Sequence, residues 1–326
     1  MKMRSLLCAT CLCLIIGVTI VAARAQVAEG PDGEMAPRPD RISALDAAIL
    51  GFIQGLTEYL PVSSTGHLIL ANHAMGLTPL LDPAHPFRSG FAKNEAVDAF
   101  DIVLHLGTFL AVLGLYRKRV GQMALGVVGR DPAGLRLLAA LAIAFLPAAV
   151  IGYKFKHQIE ESLYNPLSVA GALAVGGVLM IVVERCFWRR RRDAVRTSNV
   201  CDVRLWQALV IGLAQCVAMW PGTSRSMITI LAGLVLGLDM LAAAEFSFLL
   251  ALPTLGAATF YTGYRNWNEL ISHVGPDGMI IGTVVTVIVA ALAVKGFVRW
   301  LSRHGLLPFG IYRIALAAAV FAYFAL

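Results

Sequence analysis

The chain has 326 residues, of which 58% are hydrophobic and only 14% are charged, and its mean hydropathy is +0.73. This composition excludes a water-soluble globular protein and is typical of a polytopic helical membrane protein. The net charge of +7 comes from arginines gathered in short runs between apolar segments, which is a signal of membrane topology. Because no basic face with interleaved aromatic residues stands outside those runs, nucleic acid is not expected as a partner.

The N-terminus resembles a secretory signal. Residues 1–25 have a basic start, an apolar core and the small-residue pattern Ala23-Arg24-Ala25, which predicts a signal peptide; an uncleaved anchor helix is the alternative. Residues 26–41 are rich in proline, glycine and charge and predict a flexible lead-in. In both cases the chain continues from the external, periplasmic side of the membrane.

The first half of the chain predicts a repeat, 42–186, that starts with a re-entrant helical hairpin over 42–77. Apolar sequence there breaks at Pro61, which we expect in the first turn of the returning helix. Neither half of the hairpin has the about 20 apolar residues needed to cross a bilayer, and both carry polar groups where they meet. Three full spans then follow, near 100–116, 137–153 and 167–183.

The second half predicts the same arrangement with the opposite orientation. Positive charge places the loop 187–204 in the cytoplasm. A second re-entrant hairpin, 205–238, opens a repeat that covers 205–326 and has spans near 242–261, 279–298 and 306–326. Since each half makes an odd number of crossings, the expected fold is all-α, with an inverted-topology repeat of two hairpins and six spans.

A polar patch, Gln54 to Leu70, occupies the turn of the first hairpin. Burying carboxylate, hydroxyl and imidazole groups at bilayer depth is costly, so the patch predicts a functional site. Gln54 and Glu58 are four residues apart on one helical face, which suits a divalent cation or a proton relay. His67 lies three residues beyond Ser64, close enough to act on the same ligand.

A second polar patch, Trp220 to Thr229, occupies the turn of the second hairpin and includes Arg225. The start of a helix carries free N–H groups and positive dipole character, which bind phosphate. Arg225 adds a planar donor fork for phosphate oxygens. The hydroxyls predicted to bind phosphate in the two patches belong to Ser63, Thr65, Ser224, Ser226 and Thr229. We expect the two patches to meet and to bind a phosphate-bearing ligand with an apolar tail.

The segments QGLTEYLPVSSTGH and PGTSRSMIT resemble the two signature motifs of the undecaprenyl-diphosphatase family, the bacitracin-resistance proteins. The resemblance covers about residue 45 to the C-terminus. It implies a multi-pass phosphatase of the bacterial inner membrane that converts undecaprenyl diphosphate, a polyprenyl diphosphate lipid, to the monophosphate carrier of cell-wall precursors. It also implies a requirement for Mg²⁺ or Ca²⁺ and an outward-facing active site. The family's first motif has Glu or Gln where this chain has Gln54.

The resemblance makes Glu58, Ser64, His67 and Arg225 the catalytic core. Ser64 is the expected nucleophile, with His67 as general base and then acid; a water activated by His67 or Glu58 is the alternative. Arg225 and a cation near Glu58 and Gln54 are expected to hold the diphosphate and spread its developing charge.

Structural roles are the alternatives for several of these polar residues. The hydroxyls of Thr57, Ser63 and Thr223 fit back-bonding to their own helices. Arg225 could hold a structural carboxylate. His105 fits a buried histidine bonded to Asp101, four residues earlier. The glycines of 171–177 fit close helix packing.

A second functional class also fits the architecture. Interrupted helices in inverted repeats are typical of transporters, so a transporter or flippase of a polyprenyl phosphate lipid is the alternative to the enzyme. Ser64 and His67 favour the enzyme, because a nucleophile and a proton carrier serve bond cleavage. The sequence leaves a homodimer open.

Overall fold

The structure is a computed structural model that describes residues 42–81, 90, 94–189 and 197–325. The predicted signal peptide, 1–25, and the lead-in, 26–41, lie outside the described residues, as does 190–196 of the predicted basic loop. Within the described residues the fold is all-α apart from one isolated bridge between Thr197 and Leu238.

The main helices are α1 (Ala44–Thr57), α2 (Ser64–Ala74), α3 (Glu95–Leu115), α4 (Arg117–Val127), α5 (Pro132–Leu163), α6 (Pro166–Val183), α7 (Leu205–Gln215), α8 (Arg225–Val235), α9 (Met240–Arg265), α10 (Gly275–Leu301) and α11 (Leu307–Ala325). Short helical turns at Glu184–Arg189, Val200–Asp202, Cys216–Met219, Trp267–Glu269 and Leu270–Val274 connect or extend them.

Six helices are long and apolar enough to cross a bilayer: α3, α5, α6, α9, α10 and α11. Each coincides with one of the six predicted spans, so the prediction of an all-α polytopic membrane protein is confirmed. The helices of the two hairpins are shorter: α1 has 14 residues, and α2, α7 and α8 have 11 each. None of these reaches the about 20 residues that a span requires.

Helix α4 was not expected, because its sequence starts with the basic run Arg117–Arg119 and was interpreted as a loop. It forms because Met123 and Gly126 are buried where α4 packs on α5. Arg119 also ties α4 to α9 through an ion pair with Glu245, at 2.8 Å between Nε and Oε1. Amphipathic packing therefore makes a helix where hydropathy alone indicates a connection.

Glycines bring several of these helices close together. Helix α1 packs on α10, and a Cβ at Gly51 would lie 2.5 Å from the carbonyl oxygen of Gly282. Helix α6 packs on α11 through Gly177, where a Cβ would lie 2.7 Å from the carbonyl oxygen of Gly310. The predicted role in close packing is confirmed for Gly176 and Gly177 but is wrong for Gly171, where a Cβ would meet nothing within 4 Å.

Candidate active site

The turns of the two hairpins lie against each other. Ser226 at the start of α8 donates its hydroxyl to the carbonyl oxygen of Leu60, at 3.0 Å. Arg225 reaches across to Glu58, with 2.9 Å between Nη2 and Oε1. The prediction that the two polar patches meet is therefore confirmed.

Each hairpin returns through a serine in an unusual backbone conformation. Ser63 caps α2 and Ser224 caps α8, and both have φ of 75°. Among the described residues, these are the two non-glycine residues with positive φ, a conformation that costs on the order of 1–3 kcal/mol and often marks a functional site. Each serine hydroxyl accepts a backbone N–H from the first turn of its helix, that of Gly66 or Met227.

The start of α2 differs from the expectation for Pro61. The helix begins at Ser64, so Pro61 lies two residues before the cap rather than in the first helical turn. Its carbonyl oxygen is near Arg313 Nη1, at 3.4 Å. The reason is that the positive φ of Ser63 makes the turn, and the proline precedes it.

Glu58 is the centre of the hydrogen-bond network. Its Oε2 accepts a hydrogen bond from Ser64 Oγ at 2.6 Å and another from Gln54 Nε2 at 3.1 Å. His105 Nε2 lies 3.5 Å from the same oxygen. With Arg225 on Oε1, one buried carboxylate thus holds groups from four helices: α1, α2, α3 and α8.

Contacts with Ser247 and Tyr59 also orient Arg225, in addition to its ion pair with Glu58. Its Nη1 donates to the carbonyl oxygen of Ser247 on α9 at 3.0 Å, and its guanidinium carbon lies 5.9 Å from the centre of the Tyr59 ring. The Nε of Arg225 is buried without a hydrogen-bond partner. This arginine therefore keeps one donor uncommitted in the site.

His67 turns away from Ser64 and towards α11. Its Nδ1 lies 2.7 Å from the carbonyl oxygen of Ser63, and its Nε2 lies 2.7 Å from the hydroxyl of Tyr312. Since a carbonyl oxygen only accepts, Nδ1 carries the proton and Nε2 accepts from Tyr312. The two rings are also nearly parallel, with centroids 5.9 Å apart.

Arg313 on α11 donates hydrogen bonds to both hairpin turns. It is completely buried, and its guanidinium is close to the carbonyl oxygens of Pro61, Gly222, Ala172 and Leu173. The space for it is left by Gly176, since a Cβ there would overlap Arg313 Nη2. A charge inside a span is itself a sequence signal of function, and that signal would have identified Arg313.

The hydroxyls predicted to bind phosphate fall into two groups. Thr65 is exposed, while Ser63 and Ser224 cap their helices. The other two point into the protein: Ser226 donates to Leu60, and Thr229 lies 2.8 Å from the carbonyl oxygen of Arg225 and 2.7 Å from the hydroxyl of Ser247. Ser226 and Thr229 therefore anchor α8 to the first hairpin turn and to α9, respectively.

Two of the structural alternatives, those for Thr57 and His105, can be compared with the structure. Thr57 donates to the carbonyl oxygen of Ile53, which confirms back-bonding there. His105 Nδ1 does bond to Asp101, but to its backbone carbonyl oxygen at 2.9 Å, while the Asp101 carboxylate accepts from Asn72. His105 also faces Glu58, so it belongs to the site, a role that its apolar surroundings in the sequence did not indicate.

The residues near Glu58 offer a divalent cation few protein ligands. Gln54 Oε1 is buried without a partner, which leaves one orphaned acceptor beside the carboxylate. In the part of the chain that the structure describes, no cluster of three or more His, Cys, Asp or Glu side chains could hold a metal ion. Gln54 and Glu58 therefore fit a cation that takes its other ligands from phosphate oxygens and water, the usual arrangement for Mg²⁺.

Comparison with known proteins covers nearly the whole described chain. The family model described as bacitracin resistance protein BacA matches residues 47–319. An undecaprenyl-diphosphatase of Sorangium cellulosum is 49% identical over 278 residues, 84% of each chain. An undecaprenyl-diphosphatase 2 of Rhodospirillum rubrum is 43% identical over 283 residues, 87% of this chain and 96% of the relative. One from Aromatoleum aromaticum is 44% identical over 278 residues, 85% and 93% of the two chains.

Proposed function

The chain belongs to the BacA family of bacitracin resistance proteins, and from this premise we propose that it hydrolyses undecaprenyl diphosphate to undecaprenyl phosphate and inorganic phosphate. This reaction recycles the lipid carrier of cell-wall synthesis and confers bacitracin resistance. The observation that carries the proposal is the joined pair of hairpin turns, where Ser64, Glu58 and Arg225 are linked by hydrogen bonds of 2.6 and 2.9 Å.

We propose that the two hairpins are re-entrant and that the halves of the chain form an inverted repeat. The matching caps at Ser63 and Ser224, with the same φ, support equivalent turns. Three spans follow each hairpin: α3, α5 and α6 after the first, and α9, α10 and α11 after the second. With an odd number of crossings in each half, the two turns would meet near the midplane of the inner membrane. The site would open to the periplasm.

The diphosphate would bind where Arg225 and the first turns of α2 and α8 converge. The first N–H groups of a helix have no carbonyl partner within it and attract phosphate oxygens. Arg225 offers its uncommitted Nε and can exchange its bond to Glu58 for bonds to phosphate. The polyprenyl tail would then remain in the bilayer. Positioning of this kind supplies most of the catalysis in phosphoryl transfer.

Ser64 is the proposed nucleophile, because its hydroxyl already donates to a carboxylate that can take its proton. We propose Glu58 rather than His67 as the immediate base, because the Ser64 hydroxyl donates to Glu58 while His67 bonds to Ser63 and Tyr312. We propose that His67 is the general acid on the side of the leaving group in its doubly protonated form, in which Nε2–H donates to the leaving oxygen instead of accepting from Tyr312. A water activated by Glu58 or His67 stays the alternative to Ser64.

A Mg²⁺ or Ca²⁺ would be held by Gln54 Oε1 and Glu58 together with the diphosphate. When bound, such a cation neutralises charge on phosphate oxygens as a Lewis acid. The uncommitted oxygen of Gln54 is the observation that supports this part of the proposal.

The test is release of inorganic phosphate from undecaprenyl diphosphate by the purified full-length protein in detergent. We expect release by the wild type and its loss in Arg225→Ala and His67→Ala. Release undiminished by both substitutions would reject the site. Absence of release from the wild type, with transfer of undecaprenyl phosphate between the leaflets of vesicles, would instead favour the lipid flippase that the paired half-helices also fit.

A further inference from the structure

Arg313 is a single side chain of α11 that contacts both hairpin turns at equivalent positions. Its Nη1 lies 3.4 Å from the carbonyl oxygen of Pro61, and its Nη2 lies 2.9 Å from that of Gly222. Each of these two residues stands two positions before the positive-φ serine that caps the returning helix, which is Ser63 in the first hairpin and Ser224 in the second. One guanidinium therefore bridges matching carbonyl oxygens of the two turns.

The two helix starts that follow these serines have the same hydrogen bonds. In α2, the cap serine accepts the N–H of Gly66 on its hydroxyl and that of His67 on its carbonyl oxygen. In α8, the corresponding donors are Met227 and Ile228. The N–H groups of the first two residues of each helix precede these donors and have no carbonyl partner inside their own helix, so an anion can accept from them. The two starts thus offer two like sets of donors.

The two starts lie close enough for one small ligand to bridge them. A Cβ at Gly66 would lie 3.6 Å from the Cα of Gly222, and Ser226 donates to the carbonyl oxygen of Leu60 at 3.0 Å. A diphosphate carries two phosphate groups joined through one oxygen, so one group can lie at each start. Since Ser64 begins α2 and is the proposed nucleophile, the terminal phosphate belongs there, and the phosphate attached to the lipid belongs at the start of α8.

Arg313 carries a charge that no acidic side chain balances within the described residues. It is completely buried, and its other two partners are again carbonyl oxygens, those of Ala172 and Leu173 on α6. A charge at this depth is costly, which favours a function for it. Because the donors of a guanidinium diverge in one rigid plane, they hold their acceptors at a fixed spacing. Arg313 is therefore suited to act as a spacer between the turns.

We propose that Arg313 sets the separation of the two helix starts so that each receives one phosphate group, and that it thereby makes the site select a diphosphate over a monophosphate. This inference rests on the proposed function and names the feature of the substrate that the site recognises. Arg313 is a positioning residue, because it bonds the backbone of the turns and acts on the substrate through them.

The experiment measures the binding of two probes to the purified full-length protein by calorimetry, at a fixed concentration of free Mg²⁺. One probe is methylenediphosphonate, a diphosphate analogue with a carbon bridge, and the other is methylphosphonate, which has a single group. Neither probe has to react, so binding is read without turnover. We expect the wild type to bind methylenediphosphonate at least about tenfold more tightly, because a second charge-assisted anchor contributes on that order.

Arg313→Lys keeps the positive charge but replaces the planar guanidinium with a single ammonium, which cannot hold two carbonyl oxygens at the same spacing. We expect the preference for methylenediphosphonate to fall to about threefold or less, with the affinity for methylphosphonate changed less than about threefold. The matched control is Arg265→Lys, at the exposed end of α9, where Nη1 bonds the hydroxyl of Tyr261 at 3.4 Å. This control should keep the wild-type preference.

Gly176→Ala gives a second measurement, which stands even if Arg313→Lys does not fold. The added Cβ would overlap Arg313 Nη2 and shift the guanidinium while leaving the arginine in place, so the preference should fall in the same way. Gly171→Ala, on the same helix, adds a Cβ that meets nothing within 4 Å and should keep the preference.

A preference that Arg313→Lys retains would overturn the inference, because the charge alone would then be sufficient. So would an equal loss of affinity for both probes, since a purely structural role would leave their ratio unchanged. A wild type that binds the two probes with about equal affinity would overturn it whatever the variants do. Failure of the proposed function is distinguishable, because the protein would then release no phosphate from undecaprenyl diphosphate while calorimetry would still report the ratio.

Discussion

Glu58 and Arg225 are 167 residues apart in the chain, yet Oε1 and Nη2 lie 2.9 Å from each other, with only 5% and 10% of the two side chains exposed. The pair joins the outgoing helix of the first hairpin to the returning helix of the second. Breaking one partner of a buried pair leaves an uncompensated charge, which costs about 3–5 kcal/mol. The same two residues therefore stabilise the contact between the hairpins and are proposed to act in the reaction.

Arg225→Lys should keep the positive charge but lose the planar guanidinium, which bonds two acceptors through different nitrogens. Because lysine cannot bond Glu58 and Ser247 together as the guanidinium does, we expect kcat/KM for phosphate release to fall about 100-fold or more. Arg119→Lys is the control, since its ion pair with Glu245 is partly exposed and such pairs contribute about 1 kcal/mol or less. Arg225→Lys with activity within fivefold of the wild type would contradict this role.

Ser64→Ala should abolish turnover if the serine is the nucleophile. We expect a loss of at least about 1,000-fold, and the wild type quenched with acid during turnover of labelled diphosphate should yield phosphoserine. Thr57→Ala is the control, because that hydroxyl only bonds its own helix. Substantial activity of Ser64→Ala, with no trapped phosphoserine in the wild type, would show that water attacks directly.

Tyr312→Phe removes the hydroxyl that bonds His67 Nε2 and retains the ring that lies beside it. The imidazole then loses the contact that fixes its orientation, so we expect kcat to fall about tenfold with little change in thermal stability. Tyr323→Phe, an exposed tyrosine of the same helix, is the matched control. Equal activities of the two variants would mean that Tyr312 only packs.

Gly176→Ala should displace Arg313. The added Cβ would overlap the guanidinium that links Pro61 and Gly222, and overpacking of this kind costs about 1–3 kcal/mol. We expect a lower thermal midpoint and reduced phosphate release. Gly171→Ala, on the same helix, adds a Cβ that meets nothing within 4 Å and should behave as the wild type. A destabilised Gly171→Ala would instead point to a general intolerance of α6.

Gln54→Glu should strengthen the requirement for a cation. It replaces the donor to Glu58 Oε2 with a second carboxylate, and two adjacent carboxylates repel unless a cation lies between them. The Mg²⁺ concentration for half-maximal phosphate release should fall about tenfold. An unchanged value would place the cation away from Gln54.

The sequence alone determined the class of this protein and the location of its spans. Six apolar segments of sufficient length predict six spans because the bilayer leaves backbone polar groups no other partners, and α3 to α11 contain all six. The two polar patches were also predictable, since the cost of burying Glu58 or Arg225 is a local property of the chain. Their meeting followed from the expected antiparallel halves.

Only the tertiary structure decided which side chains bond to each other in the site. Ser64 and His67 are three residues apart, and the spacing suggested that they act together; the structure bonds Ser64 to Glu58 and His67 to Tyr312. His105 enters the network from another helix. The physical reason is that helical periodicity fixes which face a residue occupies, whereas the partner on that face depends on how separate helices pack, which no local pattern records.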